Sequence, residues 1–151
     1  MKIFIGTDHR GVEFKKKIIS LLEKEKVDIV DLGAFDDKEA SDYPKVAFKV
    51  ASHVAKTKNS RGILLCMSGI GQAIAANKIK GAYAALCYNP EAAILCRAHN
   101  NANILVLGAK FVEEKDIPLI LKNFLTTSFE GGRHLRRFKQ MQMLEKGLKL
   151  K

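Results

Sequence analysis

Five short apolar runs, Lys2 to Thr7, Val27 to Leu32, Gly62 to Cys66, Ala82 to Cys87 and Asn103 to Leu107, are each rich in Ile, Val or Leu. Parallel strands covered on both faces have this character. Between the runs, apolar residues recur at helical spacing. Phe14, Ile18, Leu21 and Leu22 mark one face, Val46, Val50 and Val54 another, and Ile117, Ile120, Leu121 and Phe124 a third. Leu135, Phe138, Met141, Leu144 and Leu148 add a last amphipathic helix. This β-α alternation predicts an α/β fold: a three-layer α/β/α sandwich, Rossmann-like, with a five-stranded parallel sheet, right-handed crossovers and a C-terminal amphipathic helix. A chain of 151 residues that is 47% hydrophobic suits one core, so residues 1–151 read as a single domain.

The same residues narrow the function classes. The opening apolar run stops at Asp8, His9 and Arg10, unlike a secretory signal, and no segment supplies the ~20 apolar residues of a membrane span. Cys66, Cys87 and Cys96 match no zinc spacing and read as reduced thiols, which points to a cytoplasmic setting without a membrane partner. A net charge of +10 raises nucleic acid as a partner. The lysines are scattered, however: Lys15-Lys16-Lys17, Lys56 and Lys58, and Lys146, Lys149 and Lys151 lie on separate segments and read as solvated helix faces, with no aromatic RNA-binding motif between them. No nucleic-acid partner is expected. The local basic cluster is Arg133, His134, Arg136, Arg137 and Lys139.

In an open parallel sheet the ligand crevice lies outside the carboxyl ends of the strands. Asp8 and His9 follow the first run, Asp42-Tyr43 closes the long loop after the second, and Cys66 to Gly71 follow the third, so these segments should share one rim. The Ser68-Gly69-Ile70-Gly71 turn, two glycines at a strand-to-helix junction, suggests backbone that approaches a ligand or adopts φ > 0. A thiol there faces free N–H groups of the next helix, and in electropositive settings cysteine pKa values fall to roughly 3.5–7.5. A reactive thiolate at Cys66 is therefore expected, whereas Cys87 and Cys96 read as packing residues. Arg133 and Arg137, one helical turn apart after Gly131-Gly132, suit a shared anion such as phosphate, or equally an ordinary exposed helix face. His99 and Asn100 close the helix before the last strand, at the opposite edge. Each residue also has an ordinary reading: Asp8 as a helix cap, His9 as a loop residue, His99 as a cation at a helix C-terminus. His53 keeps its ordinary reading as a helix residue.

Taken together, Asp8-His9, Asp42-Tyr43-Pro44, Cys66 with Ser68-Gly69-Ile70-Gly71, Ala75-Ala76-Asn77-Lys78, His99-Asn100 and Gly131-Gly132-Arg133-His134 with Arg137 resemble the ribose-5-phosphate isomerase B family, within the wider ribose/galactose isomerase group, over nearly the whole chain. Galactose-6-phosphate isomerase subunits each lack part of this set. The resemblance implies a metal-free and cofactor-free interconversion of D-ribose 5-phosphate and D-ribulose 5-phosphate through a cis-enediolate, in a homodimer with composite sites. It assigns Cys66 as the base between C2 and C1 and His99 as the acid that opens the furanose ring, assisted by Asp8. Backbone N–H groups from Met67 through Gly69 and Ile70 to Gly71 would hold the enediolate, and Ser68 would serve the O1 and O2 protons. Asn100 and Tyr43 would contact the sugar, Arg133 and Arg137 the phosphate, with His9 and His134 beside it. One branch of the family places a glutamate base after the second glycine; here that residue is Gln72. Met67 stands where the family usually has glycine, which implies either backbone strain or a side chain at the pocket, and Ser68 stands where many members have threonine. Two further readings stay open: an isomerase of allose or galactose 6-phosphate, and a noncatalytic sugar-phosphate or polyanion binder.

Overall fold

The computed structural model describes residues 1–38 and 40–150, so Lys151 lies outside the described residues. The apolar runs form one parallel sheet in the order β2-β1-β3-β5-β4. Its strands are β1 (Lys2–Thr7), β2 (Asp28–Asp31), β3 (Ser60–Cys66), β4 (Ala84–Leu86) and β5 (Ile104–Gly108). Helices α1 (Val12–Leu22), α2 (Tyr43–Lys56), α3 (Ile70–Ala76) and α4 (Pro90–Ala98) connect them, and α5 (Ile117–Thr126) and α6 (Gly132–Glu145) complete the chain. This is the Rossmann-like α/β/α sandwich the alternation predicts.

Strand parity divides the interior into two cores. Ile3, Ile5, Ile63, Leu65, Leu105 and Leu107 face α1, α4 and α5, where Ile18, Leu22, Ile120 and Phe124 are fully buried. Phe4, Leu64, Ile104 and Val106 face the other way, onto Val46, Val50 and Val54 of α2 and Ala76 of α3.

The structure shortens the edge strands relative to the apolar runs. Ala82 and Tyr83 lie outside β4 because the Asn103 side chain takes over the pairing: it accepts from the Tyr83 N–H at 2.8 Å and donates to the Gly81 carbonyl at 2.8 Å. Asn77 does the same for β4, its amide donating to the Ala84 carbonyl and accepting from the Ala84 N–H, each at 2.8 Å. Leu148 does not belong to α6, which ends at Glu145 with Gly147 at φ +70° just beyond. Only His134 and Phe138 of α6 are buried, Phe138 packing on Tyr83 and Phe129 with ring centroids 4.7 and 5.8 Å away.

Lys15 departs from the expected solvated helix face. It is 2% exposed, and its ammonium lies 2.6 Å from both Asp31 Oδ1 and the Ala34 carbonyl, beneath the Phe35 ring. The interaction ties the segment after β2 to α1. Lys15→Met leaves Asp31 and the Ala34 carbonyl without their cation. Because Asp31 remains partly solvated, the expected cost is about 1–3 kcal/mol, below that of breaking a fully buried pair. Urea unfolding measures it as a lower midpoint at unchanged slope.

Candidate active site

The sheet order brings Asp8 and Cys66 together. From β1 the chain passes to β2 on one side, and β3 returns on the other, so the carboxyl ends of β1 and β3 flank the crevice of the open sheet. The Cys66 thiol donates to Asp8 Oδ2 at 3.0 Å, while Asp8 Oδ1 accepts from the Arg10 N–H at 3.1 Å. Asp8 is buried and Cys66 partly so. One residue below, the Leu65 carbonyl accepts from Thr7 Oγ1 at 2.8 Å and from Gln72 Nε2 at 2.9 Å, which locks β1, β3 and α3 together.

The turn after β3 is fixed by the turn after β5. Ala109 N–H donates to the Cys66 carbonyl at 2.9 Å and Lys110 N–H to the Met67 carbonyl at 3.0 Å. Gly108 allows this approach, since a Cβ there would overlap the Ser68 backbone. The left-handed residue is Gly69, at φ +79°, and not Met67, which therefore carries no such strain. The Met67 side chain instead stands 45% exposed beside the thiol. Ser68 Oγ accepts from the Ile70 N–H at 3.4 Å. At the start of α2, Tyr43 lays its ring over Gly71, where a Cβ would fall 2.6 Å from a ring carbon. His9 completes this rim: its backbone N–H donates to Ser41 Oγ at 3.0 Å, and its Nδ1 accepts from the Ser41 N–H at 3.2 Å.

The surroundings of the thiol shift its pKa in the direction opposite to the one expected from the helix start. Burial pushes its pKa up, and the hydrogen bond to Asp8 and the Asp8 charge push it further; the Gly69 and Met67 N–H groups pull it down without prevailing. The helix start falls short because burial of the thiol opposes the thiolate first, and the Asp8 carboxylate in hydrogen-bond contact with the sulfur adds to it. Alkylation by iodoacetamide, which needs the thiolate, is expected to rise with pH through a midpoint above the ordinary cysteine range. In Asp8→Asn the midpoint should move to lower pH; a midpoint that stays put would separate the thiol from that carboxylate.

A second cluster lies at the amino-terminal edge of the sheet. His99 follows α4, and the Glu130 N–H donates to the Ala98 carbonyl at 3.0 Å, bringing the start of α6 alongside. The His99 and His134 rings stack with centroids 4.1 Å apart and planes within 3°. Glu130 Oε2 is 3.7 Å from His99 Nε2 and 3.5 Å from His134 Nε2. Arg133 Nε–H donates to His134 Nε2 at 3.4 Å. Burial lowers the His134 pKa, reinforced by the His99, Arg133 and Arg137 charges and opposed by Glu130. Arg133, Arg137 and Asn100 are exposed, and among the described residues neither arginine has a carboxylate within ion-pair distance.

The ligand atoms of His99, Glu130 and His134 lie within 4.8 Å of one another, the one such set among the described residues. Parallel rings aim their nitrogen lone pairs side by side, not at a common centre, and the Arg133 cation is bonded to His134 Nε2. The set is a polar cluster built around two stacked rings, with the wrong geometry for a metal.

Residues 3–141 match the family model described as Ribose/Galactose Isomerase. The chain belongs to this family. A probable ribose-5-phosphate isomerase B of Mycoplasma genitalium is 43% identical over 145 residues, 95% of each chain. Ribose-5-phosphate isomerase B of Escherichia coli is 38% identical over 144 residues, 95% of this chain and 96% of that one. Among solved structures, ribose-5-phosphate isomerase B of Clostridium thermocellum superposes with a TM-score of 0.93 at 39% identity, covering 97% of this chain and 99% of its own. The Mycoplasma genitalium enzyme with bound ribulose-5-phosphate superposes at 0.91 with 42% identity, covering 96% of each.

In this ribose/galactose isomerase the expected residues therefore form two groups. Asp8, His9, Tyr43, Cys66, Met67, Ser68, Gly69, Ile70 and Gly71 meet at one end of the sheet, and His99, Asn100, Arg133, His134 and Arg137 at the other. Cys66 pairs with Gly108 at the end of β5, whereas His99 precedes the start of that strand, which spans on the order of 15 Å. No side chain bridges that length. Three residues escaped the sequence reading: Ser41, Gly108 and Glu130. Glu130 directly precedes Gly131-Gly132, and only that adjacency hinted at it.

Proposed function

We propose that this ribose/galactose isomerase interconverts D-ribose 5-phosphate and D-ribulose 5-phosphate, as a single domain over residues 1–151 that acts in the cytoplasm as a homodimer. The Cys66 thiol resting on the Asp8 carboxylate is the observation that carries the reading. Asp8 is placed to take the thiol proton as substrate enters. The Cys66 sulfur then removes the proton from C2 of the open-chain aldose and returns it to C1, while Ser68 relays the hydroxyl proton between O2 and O1. Backbone N–H groups from Met67 to Gly71 hold the enediolate, each well-placed donor being worth about 2.7–4 kcal/mol. Every step falls to side chains or backbone, so neither metal nor organic cofactor is required.

His99, Asn100, Arg133, His134 and Arg137 reach this chemistry from a second copy of the chain. Exposed apolar side chains on the segments that follow β3, β4 and β5, namely Met67, Ile70, Ile74, Tyr88 and Phe111, support that arrangement, since exposed large apolar residues suit a partner protein. In the composite site His99 protonates the ring oxygen of the furanose, and Arg133 and Arg137 take the phosphate, with His9 and His134 beside it. Tyr43 and Asn100 contact the sugar hydroxyls.

The direct test is ketose formation from D-ribose 5-phosphate with chelator present. Turnover supports the reading. Turnover confined to allose or galactose 6-phosphate would reassign the substrate to a six-carbon sugar, with Met67 as the residue to vary, and binding without turnover on any of them would leave a noncatalytic binder.

A further inference from the structure

Glu130 is the one carboxylate among the described residues within ion-pair distance of His99 or His134. Its position is built into the backbone. Gly131 and Gly132, at φ +72° and +52°, turn the chain between the Glu130 N–H bond to Ala98 and the first turn of α6, so the carboxylate and His134 arrive together beside His99.

The hydrogen bond from Arg133 requires His134 Nε2 to be unprotonated, which makes His134 a neutral ring carrying its hydrogen on Nδ1. A neutral ring is the face on which a second imidazole stacks without charge repulsion. Glu130 Oε2 then faces His99 Nε2 at 3.7 Å, close enough to favour a hydrogen on that nitrogen and too far to bind it. The His99 plane is held by one neighbour and its tautomer by the other, while the Nε2 proton stays available.

We propose that Glu130 and His134 are positioning residues for His99, holding its imidazole plane and keeping a transferable proton on Nε2 for opening the furanose ring. The proposal rests on the reading above, in which His99 is the ring-opening acid. It separates two parts of the reaction. Ring opening needs the His99 proton, whereas exchange of the C1 proton of D-ribulose 5-phosphate needs the Cys66 chemistry and the phosphate-binding arginines but not that proton, because the ketose has its C5 oxygen phosphorylated and presents no furanose ring to open.

The experiment compares Glu130→Gln, Glu130→Asp and His99→Asn with the unmodified protein. Two readouts are taken: turnover of D-ribose 5-phosphate, and deuterium wash-in at C1 of D-ribulose 5-phosphate in D2O. Glu130→Gln is expected to lose about 10- to 100-fold in kcat, the scale of a misplaced catalytic group, with KM within about twofold and wash-in unchanged. Glu130→Asp, which keeps the charge, should recover much of the loss. Unchanged kcat in Glu130→Gln would overturn the proposal, and so would a parallel fall in wash-in, which marks a general structural defect. Normal turnover in His99→Asn would instead remove His99 as the acid, a failure of the underlying reading that the Glu130 variants alone do not produce.

Discussion

Cys66→Ser is expected to reduce turnover of D-ribose 5-phosphate by about 10²–10⁴-fold, the usual contribution of a positioned proton-transfer group. Serine is close in size, and its hydroxyl still reaches Asp8 Oδ2 across the 3.0 Å now spanned by the thiol. The phosphosugar should therefore bind as before, because the arginines and the backbone N–H groups are untouched. What changes is acidity: a hydroxyl ionises far less readily than even a thiol whose pKa is raised by burial and a neighbouring carboxylate. Calorimetric binding alongside ketose formation distinguishes lost chemistry from lost affinity. Near-normal turnover in the serine variant would exclude Cys66 as the base and direct attention to Asp8.

The second large effect is expected at a residue with no side chain. Gly108→Ala places a methyl group onto the Ser68 backbone, so either β5 retreats or the Met67–Gly69 turn moves. β5 is paired on both sides, to β3 and β4, and its apolar side chains are fully buried, so the turn is the part that yields. A shift of ~1 Å in groups that hold a reacting enediolate costs roughly 10²-fold in rate. The expected result is a kcat lowered by that factor with the sheet intact, seen as little change in far-ultraviolet circular dichroism. Unchanged kcat would mean that the turn accommodates the methyl group without displacing its N–H donors.

Much of the architecture was legible because short continuous apolar runs and the 3.6-residue period are local patterns. The Gly62 to Cys66 run announces a buried strand, and Val46, Val50 and Val54 report a helix face, without reference to any distant residue; which layer Ile63, Leu64 and Leu65 each enter appears only in the fold. The rim of the site was legible for a related reason, since parallel topology alone places Asp8 and Cys66 at strand ends that meet. The upward shift of the Cys66 pKa was not, because it depends first on burial of the thiol and then on a carboxylate 58 residues away in sequence, both of which appear only after folding. Lys15 was misread on the same grounds: its neighbours Lys16 and Lys17 look alike in sequence, and only the contact to Asp31 across 16 residues draws it inward. Gly108 and Glu130 have no local signature, because each matters for a segment it meets only after folding.

The two cores of opposite parity carry a consequence for how the thiol is aimed. β3 gives Ile63 and Leu65 to one layer and Leu64 to the other, and all three are completely buried. Slipping by one residue would turn large side chains on both faces into the wrong layer at once. The sulfur is thus indexed by interlocking packing on two sides rather than by the length of any loop. Residues can be added in the exposed stretch from Asp36 to Lys38 at modest entropic cost, whereas one residue inserted between Ser60 and Cys66 would point the thiol through the sheet, away from Asp8.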